Sequence, residues 1–237
     1  MSEIKCILFD CMETVVDVFK LPDIRMYAWF AYKGCGYEDL WMDFDDFVQE
    51  YNAARIEMDK CRSKYEEYNI FDRFSFMVKQ KLGEKDKVEE AVAGISDSYW
   101  ANYKANCYVD DAVKATLADL HSRYRMGIVS NFMVDGGIEE LLVIHGVERY
   151  FDFIVTSIKV GWRKPHRGIY DAALKLAEVP KDQILFVGDD YVCDYVGAID
   201  FGFNAILLDK MKDRSNLVEN AKRVQRLRDL SVWGGWE

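Results

Sequence analysis

Five short runs, apolar nearly throughout and each leading to a polar residue, constrain this chain more than any other feature. Ile4 to Phe9 stops at Asp10, Met126 to Val129 at Ser130, and Ile184 to Val187 at Gly188-Asp189. Phe153 to Val155 leads through a loop to Lys164, and Ala205 to Leu208 stops at Asp209. A strand with one face in water alternates polar and apolar residues, whereas a strand covered on both faces is apolar throughout. Helix-like stretches at 111–123, 135–146, 168–178 and 191–201 precede and separate the last four runs. The alternation predicts an α/β fold built on a doubly wound parallel sheet. Ligands bind such sheets at the C-terminal ends of the strands, and Asp10, Ser130, Lys164 and Asp189 all fall there.

The segment 16–105 breaks the pattern. It has almost no β-branched runs and is rich in aromatic and charged residues. Within it, Phe44, Phe47, Val48, Tyr51, Ala54, Arg55 and Met58 recur at helical spacing. We expect an all-helical insert over 16–105, with 1–15 and 106–237 forming the sheet domain. The aromatic residues of 21–41 are expected to pack the insert or a contact surface. The C-terminal stretch is expected to form a helix from Ser215 to Leu230, with Trp233 and Trp236 packing on the core or on a second copy.

Bulk properties exclude several functions. The chain has 237 residues and a formal net charge of −10, which argues against a nucleic-acid or anionic-membrane surface. No apolar run approaches the roughly 20 residues that span a bilayer. The six cysteines show no C-x-x-C pair or zinc spacing, as expected of reduced thiols in a cytoplasmic protein. No phosphate loop of the G-x-x-x-x-G-K-[ST] type is present. His121, His145 and His166 are expected to be non-catalytic.

Four motifs carry chemistry. In ILFDCMETVVD (7–17), Asp10 ends a strand and Thr14 follows; a carboxylate so placed can act as an in-line nucleophile, or simply cap a turn. In IVSNF (128–132), Ser130 and Asn131 open a helix-like region where backbone N–H groups favour an anion. In GWRKPHRGIY (161–170), Lys164 precedes a proline and could neutralise charge on a phosphate. In FVGDDYVCD (186–194), Asp189, Asp190 and Asp194 cluster at a strand end. Converging carboxylates repel unless a cation sits among them, and hard oxygen donors suit Mg²⁺.

Asp-x-x-x-Thr, then Ser-Asn, then Lys-Pro, then Gly-Asp-Asp-x-x-x-Asp, each after an apolar run, resembles the haloacid dehalogenase superfamily. The resemblance spans the chain and implies a Rossmann-like core, with 16–105 in the place of a helical cap that selects substrates. It implies Asp10 as nucleophile and metal ligand, Thr14 and Ser130 orienting carboxylate and phosphate, and Lys164 stabilising charge. Asp189 and Asp190 are implied as further ligands of Mg²⁺, with Asp194 anchoring from behind. Asn131 and Arg25 are the candidates for contact with substrate.

Two positions depart from the family pattern. Where its phosphatases carry Asp-x-Asp-Gly-Thr, this chain reads Asp10-Cys11-Met12-Glu13-Thr14. The family's second Asp protonates the leaving oxygen and then activates water, help worth about 10²–10⁴ in rate. Met12 lacks that proton but keeps the backbone carbonyl that the family offers to the metal. Glu13 takes the place of a glycine at a sharp turn.

Three functions are compatible with this set. The first is a Mg²⁺-dependent phosphatase favouring acyl or aryl phosphates, whose leaving groups need no proton. The second is a hydrolase like the 2-haloacid dehalogenases, which also lack the second Asp, need no metal, and bind the haloacid with a cap Arg and aromatic residues. Arg25 beside Tyr27 and Trp29 could serve there, although Asp189-Asp190 oppose this reading because that branch is rich in Ser and Asn at the fourth motif. The third is a binding or regulatory member with little turnover. A small-molecule partner is expected, with monomer and homodimer both open.

Overall fold

A computed structural model of the chain describes residues 3–83, 87–210 and 221–232. In chain order the elements are β1 (Cys6–Phe9), β2 (Asp17–Val18), α1 (Ile24–Tyr32), α2 (Phe44–Lys60), α3 (Ile70–Leu82), α4 (Val88–Ala105), β3 (Cys107–Tyr108), α5 (Asp111–His121), β4 (Arg125–Ser130) and α6 (Gly137–Ile144). There follow β5 (Phe153–Thr156), α7 (Ser157–Val160), α8 (Arg167–Ala177), β6 (Ile184–Gly188), a π-helical turn (Tyr191–Val196), α9 (Gly197–Phe201), β7 (Asn204–Leu208) and β8 (Arg223–Val224). They divide into two compact units, Met1–Asp17 with Tyr108–Glu237, and Val18–Cys107. Among the described residues no helix is long and apolar enough to cross a membrane.

The first unit holds a six-stranded sheet in the order β5-β4-β1-β6-β7-β8. Its pairings are parallel, so the α/β class read from the apolar runs is the observed one. Cys6 and Leu8 of β1 pack with Val129, Val155 and Phe186 against Ile169, Tyr170, Ala173 and Ala177 of α8. Ile7 and Phe9 alternate to the opposite face and are equally buried, as are Leu117 and Leu120 of α5 and Ile138, Leu141 and Leu142 of α6. Each such side chain, fully buried, contributes about 1.5–3 kcal/mol. Both faces are therefore dry, which is why the central strands lack polar alternation. Phe9 lies level with Ile128 on one side and Val187 on the other. That register brings Asp10, Ser130 and Asp189 out of the sheet at nearly the same height.

The expected helix from Ser215 to Leu230 is corrected where the chain is described. Residues 223–224 form β8, paired to the edge of β7, and Leu227–Val232 form a 3₁₀ helix. Val224, Leu227 and Leu230 are buried, and their three-residue spacing imitates an α-helical stripe. Residues 215–220, Trp233 and Trp236 lie outside the described residues. A further pair, β2 with β3, forms a separate two-stranded ribbon too short to leave a periodic signal.

The second unit is built from α1 to α4. Asp23, Asp43 and Asn69 accept N-cap bonds from Met26, Asp46 and Phe71, which starts α1, α2 and α3 where they start. Gly83 ends α3 at a φ of 65°. The interior is aromatic: Phe47 stands 4.6 Å from Trp41 and 5.2 Å from Tyr32, and Phe74 stands 5.4 Å from Tyr99, between ring centroids. Arg73 is buried over the Tyr51 ring and donates to Tyr68 Oη. Most aromatic residues of 21–41 thus pack this unit, with Trp29 half-exposed against Phe44.

Candidate active site

Lys164 is the hub of the first unit's strand ends. It is only 2% exposed, and its ammonium has a partner for each of its three protons. Nζ donates to Asp10 Oδ1, Asp194 Oδ1 and the Val129 carbonyl, each at 2.7 Å. The acceptors come from three elements: the residue after β1, the π-helical turn, and β4. One oxygen each of Asp10, Asp189 and Asp194 lie within 4.8 Å of one another. Three carboxylates around one ammonium leave an excess of negative charge.

That excess acts on the acids. Burial pushes Asp10 above the ordinary carboxylate range; Lys164 opposes the rise and Asp189 adds to it. Burial raises Asp189 to about 6, with Asp194 pushing the same way and Lys164 against. Asp194 rises to about 7, again through burial first, opposed by Lys164 and reinforced by Asp10. Burial alone would lower Lys164, but Asp10 and Asp194 outweigh it and hold the ammonium above its ordinary value. The group could hold a divalent cation, which would relieve the repulsion. Hard, anionic oxygen donors fit Mg²⁺.

The sequence folds locally to make this possible. After Asp10 the chain turns tightly: the Cys11 carbonyl accepts from Val15 N at 2.8 Å and Val16 N at 2.9 Å, and Glu13 N donates to Val16 O at 2.7 Å. Glu13 sits at a φ of 59°, a left-handed conformation costing roughly 1–2 kcal/mol for a residue with a side chain. Thr14 is fully buried, and its Oγ1 has no hydrogen-bond partner. An orphaned buried hydroxyl four residues after Asp10 fits a site built to receive another oxygen ligand. Ser130 is buried at the end of β4.

Asp190 does not join the carboxylate group. Its Oδ1 accepts from Val192 N and Cys193 N, both at 2.8 Å, and so opens the π-helical turn. That turn brings Asp194 back over the strand, where its Oδ2 accepts from Asp190 N at 2.9 Å. Gly188 is required at this point: a Cβ there would lie 2.3 Å from Asp194 Oδ2. Gly188→Ala is expected to cost about 1–3 kcal/mol as an overpacked site and to shift Asp194 away from Lys164. A chemical denaturation curve checks the first effect, and an unchanged midpoint would contradict the close approach.

The remaining predicted residues are placed as follows. Asn131 Nδ2 donates to the Lys164 carbonyl at 3.1 Å, and its Oδ1 accepts from Lys164 N at 2.6 Å. Arg25, in the second unit, is exposed, pairs with Asp45 at 2.6 Å and lies over the Phe44 ring. His166 caps α8 through Nδ1 and stacks on Trp162. Burial pushes the Cys193 thiol up to about 12, so it is no nucleophile. Sequence reasoning missed the Val129 carbonyl, which has no side-chain signature, and the need for Gly188, for which the glycine itself was the signal.

A sequence model of the family described as haloacid dehalogenase-like hydrolase matches residues 38–208. Haloacid dehalogenase-like hydrolase domain-containing protein 3 of Xenopus laevis is 50% identical over 84 residues, 35% of this chain and 34% of that protein. A glyceraldehyde 3-phosphate phosphatase of Methanothermobacter thermautotrophicus is 32% identical over 121 residues, 49% of this chain and 53% of its own. The chain thus spans about half the length, or less, of these curated relatives. The crystal structure of a 2-haloacid dehalogenase from Pseudomonas syringae pv. Tomato DC3000 has a TM-score of 0.72 at 20% identity, covering 96% of each chain, and shares the fold.

Proposed function

The chain belongs to the haloacid dehalogenase-like hydrolases, and on that footing we propose that it is a Mg²⁺-dependent phosphatase working through an aspartyl-phosphate on Asp10. The observation that carries this reading is the group of Asp10, Asp189 and Asp194, with one oxygen of each within 4.8 Å of the others and with Asp10 and Asp194 bonded to the Lys164 ammonium. Metal-free displacement of halide has no use for so many acids, whereas phosphoryl transfer beside a cation does. The identity to a phosphatase over 121 residues supports the same choice. The segment 16–105 is assigned as the cap that sets substrate choice.

Asp10 attacks phosphorus in line, forming the carboxyl–phosphorus bond as the bond to the leaving oxygen breaks. Lys164 holds the Asp10 carboxylate in one orientation and neutralises charge as it develops. Thr14 Oγ1 and the Ser130 hydroxyl donate to the phosphoryl oxygens. When bound, Mg²⁺ supplies neutralisation of the phosphoryl oxygens; Asp10, Asp189 and the Met12 carbonyl are the groups that would hold it. Asp194, whose oxygens already accept from Lys164 and Asp190, steadies the ammonium.

The Met12 thioether can neither give nor take a proton, so the leaving group departs unprotonated. Acyl and aryl phosphates meet that condition; alkyl phosphates do not. The second step, attack of water on the aspartyl-phosphate, also lacks a base at position 12. Without it the step slows by about 10²–10⁴, and the phosphorylated enzyme accumulates. Phosphate release from acetyl phosphate and p-nitrophenyl phosphate, with Mg²⁺ and with a chelator, tests the reading. Mg²⁺-dependent phosphate release is expected, preceded by a stoichiometric burst of p-nitrophenolate as the phosphorylated enzyme forms, and release indifferent to Mg²⁺ would refute it. Met12→Asp is expected to raise turnover of an alkyl phosphate by up to about 10²–10⁴ and to abolish the burst. No gain would show that position 12 does not face the leaving group.

A further inference from the structure

We propose that Asn131 is a positioning residue for Lys164 and takes no part in holding the substrate. This rests on the reading of Lys164 as the charge-stabilising group. Asn131 stands directly after β4, where an amide invites assignment as a ligand contact, but both ends of its carboxamide are engaged elsewhere. Oδ1 accepts from Lys164 N at 2.6 Å and Nδ2 donates to Lys164 O at 3.1 Å. A carboxamide carries an acceptor end with two lone pairs and a donor end with two N–H groups, and Nδ2 of Asn131 also reaches Cys193 Sγ at 4.0 Å. It therefore pairs with the N–H and C=O of a single residue as a neighbouring strand would.

The surroundings explain why such a clamp is needed. Lys164 lies in a loop 33 residues further along the chain, and Pro165 after it offers no N–H to tie the loop down. The Cys193 thiol meets the same Lys164 carbonyl, with Sγ at 3.5 Å. The end of β4 thus grips Lys164 three times: at N, at O, and through Val129 O at the ammonium. Lysine has a long flexible stem, and its Nζ must reach three acceptors at 2.7 Å simultaneously. Fixing the backbone at both polar atoms removes the largest freedom left to it. No other residue type of this length supplies the pair. Asp keeps the acceptor but sets an oxygen against the Lys164 carbonyl, and Ser is too short to span both atoms.

The test compares wild type, Asn131→Ala and Asn131→Asp in two ways. The first is acylation of Lys164 by acetic anhydride, read by mass spectrometry on the peptide that carries it, with folding checked by circular dichroism. Lys164 is protected in the wild type, and its labelling rate is expected to rise about tenfold in Asn131→Ala, the scale of losing two hydrogen bonds. A smaller rise is expected in Asn131→Asp, which keeps one bond and serves if the alanine variant does not fold. The second readout is steady-state hydrolysis of acetyl phosphate. A misplacement of about 1 Å costs roughly 10²-fold in kcat, with KM little changed. Unchanged labelling, or a raised KM with kcat retained, would overturn the proposal and return Asn131 to the substrate. The labelling needs no turnover, so it decides the clamp even if acetyl phosphate is not hydrolysed.

Discussion

Asp10→Asn is expected to lower hydrolysis of acetyl phosphate and p-nitrophenyl phosphate by on the order of 10⁴-fold or more, the scale seen when a covalent nucleophile is removed. The amide has the carboxylate's shape but is not a nucleophile. Two neighbouring groups are poorly placed to replace it. Asp194 has one oxygen on Lys164 and the other on Asp190 N, while the Cys193 thiol is raised to about 12 and stays protonated. The fold should survive, because Lys164 keeps Asp194 and Val129 O as acceptors, and the neutral amide relieves repulsion from Asp189. Phosphate release and a thermal melt, run on the same preparation, check both halves. Activity retained within tenfold of wild type (about 1.4 kcal/mol of barrier) would remove Asp10 as the nucleophile.

The second large effect is on stability. Lys164→Met is expected to destabilise the protein by about 3–5 kcal/mol, the range for deleting one partner of a buried ion pair. Methionine fills much of the same space, so the loss is electrostatic: Asp10 and Asp194, the latter 1% exposed, would keep their burial without their cation. The charge account makes a further demand that a packing account does not. Asp194→Asn added to Lys164→Met should restore part of the loss, a coupling on the order of 0.5–3 kcal/mol. Denaturant curves in chelator measure all three variants against wild type. Strict additivity would mean that the lysine acts through its stem and not its charge.

Much of the fold was legible because the physics is local. A strand buried on both faces must be apolar throughout, and Ile184 to Val187 reads so and is β6. The stretch 191–201 read as helix, and the chain there does wind, first as a wider π turn that Asp190 caps and then as α9. The tail misled for a related reason, since buried positions three apart at Val224, Leu227 and Leu230 serve a strand end and a 3₁₀ helix as well as an α-helix. In the candidate site, the order of polar residues after strands pointed to Asp10, Lys164, Asp189 and Asp194, which the fold gathers. What the sequence could not express was pairing at a distance. That Asn131 turns to the Lys164 backbone, and that Asp190 turns to its own helix, depend on loop paths with no periodicity to read.

The measurement that bears most directly on the account is covalent trapping. The protein is mixed with acetyl phosphate and Mg²⁺, quenched in acid within the first turnovers, and digested for mass spectrometry of the peptide that carries Asp10. The account predicts a phosphoryl group on Asp10 at near-stoichiometric occupancy, lost on chelation of Mg²⁺ and much reduced in Met12→Asp, where the second step regains its base. Phosphate released in bulk with Asp10 unmodified at every time point would contradict it.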